Sequence, residues 1–139
     1  MNENALQRFI DAQKEDYQTA LSEIKNGRKR SHWMWYIFPQ IQGLGSSETA
    51  MYYAIKNIDE AEAFLAHPVL GKRLIEISNE LLSLQENDAH QIFGSPDDLK
   101  LKSSMTLFSS LNNTNPAFQS VLEKFYQGTK DDRTLRIIK

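Results

Sequence analysis

The segment Gly27-Arg28-Lys29-Arg30-Ser31-His32-Trp33-Met34-Trp35-Tyr36-Ile37-Phe38-Pro39-Gln40 sets three consecutive cations and a histidine beside both tryptophans of a 139-residue chain. Cationic side chains neutralise phosphate or carboxylate, indole faces stack on planar rings, and the two-sided amide of Gln40 can orient such a ring. Lys29, Arg30, Trp33, Trp35 and Gln40 are therefore candidate contacts for a small anionic, planar, nucleotide-like ligand, with His32 as the candidate proton carrier. The same residues also suit plainer roles. Trp, Tyr, Ile and Phe in a row are core-forming, and Arg28 to Arg30 would sit well at a helix C-terminus against its dipole.

A second polar group lies near the middle of the C-terminal half: Asp97, Lys100, Ser103, Ser104 and Thr106. Helical spacing makes Asp97 and Lys100 neighbours and puts Ser103 one turn further on. Lys100, Ser103 and Ser104 are candidate anion contacts and Asp97 a second candidate catalytic group; capping plus an exposed ion pair would account for them equally. His32, His67 and His90 have no partner at a three- or four-residue step and the chain has no cysteine, so no metal site is expected. His67 precedes Pro68 and is expected to cap the next helix, while His90 sits in a polar stretch and is expected at the surface. No phosphate-binding glycine loop between strand and helix and no Gly-x-Ser-x-Gly elbow is present, and no cofactor is implied.

Apolar spacing defines the elements that must position these groups. Leu6, Phe9, Ile10, Gln13, Tyr17, Ala20, Leu21 and Ile24 recur at three- and four-residue steps, the stripe of a long first helix that Gly27 stops. Gln13 and Tyr17 put polar atoms on that stripe and need partners inside, in a hydrogen-bond network or a pocket wall. Asn57 and Glu60 have capping-box spacing for a short helix through Leu65 that His67-Pro68 ends. Leu70, Leu74, Ile77, Leu81 and Leu84 predict a helix with Pro68 in its first turn. Ser95-Pro96-Asp97-Asp98 predicts another, with Ser95 as cap and Pro96 first, running to about Leu111. Asn115-Pro116 repeats that pattern ahead of Phe118, Val121, Leu122 and Phe125, with Gly128 as the end and a short terminal turn beginning near Asp131. Met51-Tyr52-Tyr53-Ala54-Ile55 fits either a strand or a helix end, and residues 40–47 form the main irregular segment.

These patterns predict an all-α fold, a single compact multi-helical domain over residues 1–139, without repeats or linkers. The longest apolar run, Trp33 to Phe38, is too short to span a bilayer, and no signal-peptide pattern opens the chain, so a cytoplasmic protein without membrane insertion is expected. The formal net charge of −2 offers no general attraction to phosphate backbones, and nucleic acid is not an expected partner.

Gly27 to Trp35, Phe38-Pro39-Gln40, Gly43-Leu44-Gly45, His67-Pro68-Val69-Leu70-Gly71, Phe93-Gly94, Pro96-Asp97-Asp98 and Ser103-Ser104-Met105-Thr106-Leu107-Phe108 together resemble a bacterial family of unknown function, DUF1810. The resemblance spans nearly the whole chain and implies a compact all-helical fold, but it carries no reaction and no catalytic residues. Members sometimes bear the label calpastatin; a calpain inhibitor of that type would be disordered, charged and Pro-rich, which regular apolar stripes exclude. From the residues, the expected function is binding of a small anionic planar ligand in a basic and aromatic cleft, with metal-independent hydrolysis as the chemistry that His32 or Asp97 would support. The alternative is a non-enzymatic protein–protein interaction domain that uses the same aromatic and basic segment as its surface.

Overall fold

The long stripe beginning at Leu6 forms α1 (Glu3–Lys25), which buries Leu6, Phe9, Gln13, Tyr17, Ala20, Leu21 and Ile24. The structure, a computed structural model, describes residues 3–139; Met1 and Asn2, part of the expected domain, lie outside the described residues. Gly27 ends α1 with φ +78°: its N–H donates to Ile24 C=O (2.8 Å) and the Arg28 N–H to Glu23 C=O (3.0 Å). This is the paired closure that a left-handed glycine permits.

The chain then makes the single turn α2 (Met34–Ile37), crosses the irregular segment and enters α3 (Glu48–Tyr53), capped by Ser47. Of the two options open for residues 51–55, Met51 to Tyr53 end that helix. Ile55 forms an isolated parallel bridge with Ile41, and no strand occurs among the described residues. In α4 (Ile58–Ala66) the Asn57 side chain caps the Glu60 N–H (2.9 Å), and the Glu60 carboxylate turns back to the Lys56 N–H (2.8 Å). Glu60 is fully buried and also holds Arg8 (3.1 Å), tying α4 to α1.

His67 Nδ1 accepts from the N–H groups of Val69 and Leu70, the cap expected of it, and opens α5 (Leu70–Ser83). The Gly71 N–H already reaches His67 C=O (3.0 Å), so Pro68 sits within the first helical turn although the regular helix begins at Leu70. Asp88 caps the short α6 (Ala89–Phe93).

α7 (Asp97–Ser109) starts one residue later and stops two residues earlier than its sequence predicts. The first helical carbonyl is that of Pro96, which accepts from Lys100 N–H (3.1 Å), so Pro96 is the flanking residue and Ser95 lies outside, its hydroxyl donating to Asp98 (3.2 Å). α8 (Pro116–Tyr126) follows its Asn115 cap; Gln127 in the left-handed region and Gly128 after it end the helix. The expected terminal turn is α9 (Asp132–Ile138), capped by Asp131.

α7 is the central helix, buried from Ser103 through Phe108 and packed against α4, α6, α8 and α9. A chain of rings, Phe9–Phe64–Phe108–Phe118, with centroids 5.0, 5.5 and 5.8 Å apart, runs from α1 through α4 and α7 to α8. A second group, Trp33, Phe38 and Phe93, packs at 6.0–6.4 Å. Both belong to one hydrophobic cluster. Gln13 and Tyr17 find their partners in a hydrogen-bond network: Gln13 donates to Tyr36 C=O (2.7 Å) and accepts from Arg73 (3.4 Å), and the Tyr17 hydroxyl meets Arg73 C=O and the Glu76 carboxylate. No helix among the described residues is long and apolar enough to cross a membrane.

Candidate functional site

After α1 the chain runs as an irregular loop from Arg28 to Trp33, and one carboxylate shapes it. Glu23 Oε1 accepts from Arg30 N–H (2.8 Å), Ser31 N–H (3.0 Å) and Trp33 Nε1 (2.9 Å), while Oε2 accepts from the Ser31 hydroxyl (2.6 Å). Burial pushes this carboxyl up, but the hydrogen bonds from Ser31, Arg30 and Trp33 outweigh it and hold the group below the usual carboxylate value. A second tie comes from Lys29 N–H, which donates to Ile92 C=O (2.7 Å) on α6.

With its backbone fixed, Lys29 sends its ammonium group to Asp97 Oδ2 (2.9 Å) at the start of α7, to Ser31 C=O, and over the Trp33 ring (5.1 Å). Lys100, one turn along α7, meets the other Asp97 oxygen (3.4 Å) and lies over the Trp35 ring (4.9 Å). Two segments nearly seventy residues apart in sequence thus meet at a single carboxylate, in the order Trp33, Lys29, Asp97, Lys100, Trp35. Beside them opens a cleft of about 340 Å³ walled by Arg28, Lys29, His90, Gln91, Ile92, Phe93 and Gly94. The Arg28 side chain is exposed and has no hydrogen bond or ion pair among the described residues. His90 is exposed, as expected, and faces Asp98 at 3.6 Å.

The other residues singled out in the sequence are placed differently. Trp33 is 1% exposed, sealed between Phe38 and Phe93 with its N–H on Glu23, so it offers no face to a ligand. Tyr36, Ile37 and Phe38 are buried with it, and of the aromatic residues in this run only Trp35 is partly exposed. Ser103 and Ser104 are also interior. The Ser103 hydroxyl donates back to Leu99 C=O (3.2 Å), and Ser104 Oγ is enclosed without a partner among the described residues. Expected as ligand contacts, both serve instead as small residues of a helix packed on nearly all sides, where their size admits close neighbours. Thr106 behaves alike, donating to Lys102 C=O and accepting from Asp131 N–H.

Arg30 and His32 are exposed; the His32 carbonyl accepts from the Tyr36 hydroxyl, which also holds Asp16. Gln40 is half-buried and lines, with Trp35, Gly45 and Tyr53, a hollow of about 10 Å³, room for one water molecule. Glu23 was missed by sequence reasoning because at its helical position a glutamate reads as solvated charge. The available signal was an acid one turn before a stop glycine, followed by a loop rich in donors.

No curated protein matches the chain. The crystal structure of the conserved hypothetical protein Rv1873 from Mycobacterium tuberculosis is similar to it, with 46% sequence identity and a TM-score of 0.93 over 96% of this chain and 95% of that one. Residues 3–138 match DUF1810, described as a protein of unknown function, and the chain belongs to that family.

Proposed function

We propose that the protein binds a small anionic ligand in the cleft beside the Lys29–Asp97–Lys100 cluster, its phosphate or carboxylate meeting Arg28, Lys29 and His90. The observation that carries this reading is the exposed Arg28 guanidinium, free of partners among the described residues, on the wall of a 340 Å³ cleft that Lys29 and His90 also line. A guanidinium presents a planar fork of donors suited to either anion. Asp97 and Asp98 temper the positive charge, which favours a compact anion over a polyanion such as nucleic acid. Neither indole walls this cleft, since Trp33 is enclosed and Trp35 lines the small hollow beside Gln40, so the anionic group of the ligand carries the contact. Proton transfer by His32 or Asp97, and with it hydrolysis of the ligand without a metal, is a further step within the same proposal.

Titration of the labelled protein with pyrophosphate and ADP, followed by amide resonances of residues 90–94 and by calorimetry, tests the binding. Saturable shifts at millimolar ligand are expected, with Arg28→Ala weakening affinity about tenfold, equivalent to about 1.4 kcal/mol. Absence of both shifts and heat would remove the proposal. Product analysis of the same samples decides on hydrolysis.

A further inference from the structure

We infer that Glu23 is the positioning residue of this site: its carboxylate holds the loop from Arg28 to Trp33 in the shape that delivers Lys29 to Asp97 and to the cleft. The inference rests on the anion-binding reading for its ligand arm and on geometry alone for the rest. Glu23 takes four donors from three residues, two backbone N–H groups, one hydroxyl and one indole N–H, all at 2.6–3.0 Å. That is more than helix termination needs. The end of α1 is already closed by backbone bonds of Gly27 and Arg28, one of which uses the carbonyl of Glu23 and leaves its side chain free for the loop.

The path from Glu23 to the cleft passes through Ser31. The carboxylate fixes Ser31 by its N–H and its hydroxyl, and the carbonyl of that same residue accepts the Lys29 ammonium, which then reaches Asp97. Lys29 is 7% exposed at its side chain, so its direction is set by these partners rather than by solvent. An amide in place of the carboxylate would keep an oxygen for the three N–H donors and turn its NH2 to the Ser31 hydroxyl, which can accept, whereas alanine removes every acceptor.

The test compares Glu23→Ala with Glu23→Gln in three measurements: hydrogen exchange at Arg30 and Ser31 together with the Trp33 indole resonance, pyrophosphate affinity, and a stability double-mutant cycle with Asp97→Asn. Glu23→Ala is expected to lose protection at both amides, shift the indole signal, weaken pyrophosphate at least about tenfold and shrink the cost of Asp97→Asn. Glu23→Gln, which retains the acceptor oxygen but not the charge, is expected to restore part of each. Equal behaviour of the two variants would mean that the acceptor oxygen does not hold the loop. A released loop with unchanged pyrophosphate affinity, or additive Glu23 and Asp97 effects, would overturn the positioning role. If the unmodified protein fails to bind pyrophosphate while the cycle shows coupling, Glu23 still orders Lys29 and the anion reading alone falls. Should Glu23→Ala not fold, Glu23→Gln in the same cycle decides.

Discussion

Lys29 and Lys100 share one carboxylate but not one environment. The Lys29 side chain is 7% exposed and that of Lys100 25%, so removing Asp97 leaves the first ammonium group enclosed with only the Ser31 carbonyl to meet it and merely releases the second. Breaking an enclosed ion pair from one side costs about 3–5 kcal/mol, whereas an exposed pair contributes about 0–1 kcal/mol. Asp97→Ala should therefore lower unfolding free energy by about 3 kcal/mol and Lys100→Ala by about 0.5 kcal/mol, a ranking that urea denaturation of both variants checks. Glu23 gives a pH dependence with a definite sign. Its folded-state carboxyl lies below the usual value, so its contribution is complete above the ordinary glutamate range and is lost as pH falls through the lowered folded value. The urea midpoint of the unmodified protein should fall more steeply on acidification than that of Glu23→Gln; parallel curves would refute the linkage. The adjacency of Asp97 and Lys100 was legible from their three-residue step. Their meeting with Lys29 was not, because no local spacing encodes a contact made by folding.

The elements were the most legible level, since most of their ends are written in short polar signatures. Asn57 and Asn115 cap where expected, His67 caps α5, and Gly27 closes α1. Two glycines at such ends differ in the energy they protect. At Gly71, in the first turn of α5, an added Cβ would come 1.9 Å from Leu65 C=O in α4, a backbone atom that cannot step aside. At Gly27 nothing lies within 4 Å of an added Cβ, and only the left-handed φ opposes substitution. Gly71→Ala should thus cost about 3 kcal/mol, at the upper end for overpacking, and Gly27→Ala about 1–2 kcal/mol, as measured by thermal unfolding. A Gly71→Ala protein as stable as Gly27→Ala would show that α4 and α5 separate freely. The element least legible in kind was α7. A helix packed by α4, α6, α8 and α9 and buried without a break from Ser103 to Phe108 meets solvent mainly in its first turn, at Leu99, so its sequence carries no amphipathic stripe, and Ser103 and Ser104 look like a polar surface when they are interior.

Across the whole molecule the aromatic segment that drew a functional reading turns out to join two regions of the core. Trp33 packs with Phe38 and Phe93, and the ring chain from Phe9 to Phe118 crosses the opposite helices, yet all belong to one cluster of buried residues. Composition and periodicity revealed that a core of this size must exist; which of the two tryptophans would be enclosed depended on packing between α6, α7 and the loop. We propose that this continuity makes the chain a single cooperative domain. Chains under about 150 residues with one core usually unfold in one step. Tryptophan fluorescence, which reports the Trp33 and Trp35 region, should then follow the same urea curve as helical circular dichroism, which reports all the helices. Trp33→Phe, by losing the 2.9 Å bond to the Glu23 carboxylate and leaving that acceptor with one donor fewer, should move both curves together by about 2 kcal/mol. Separation of the two curves in that variant would mean that the loop and α6 open while the Phe9 to Phe118 chain holds. The cleft would then sit on a unit that folds apart from the rest.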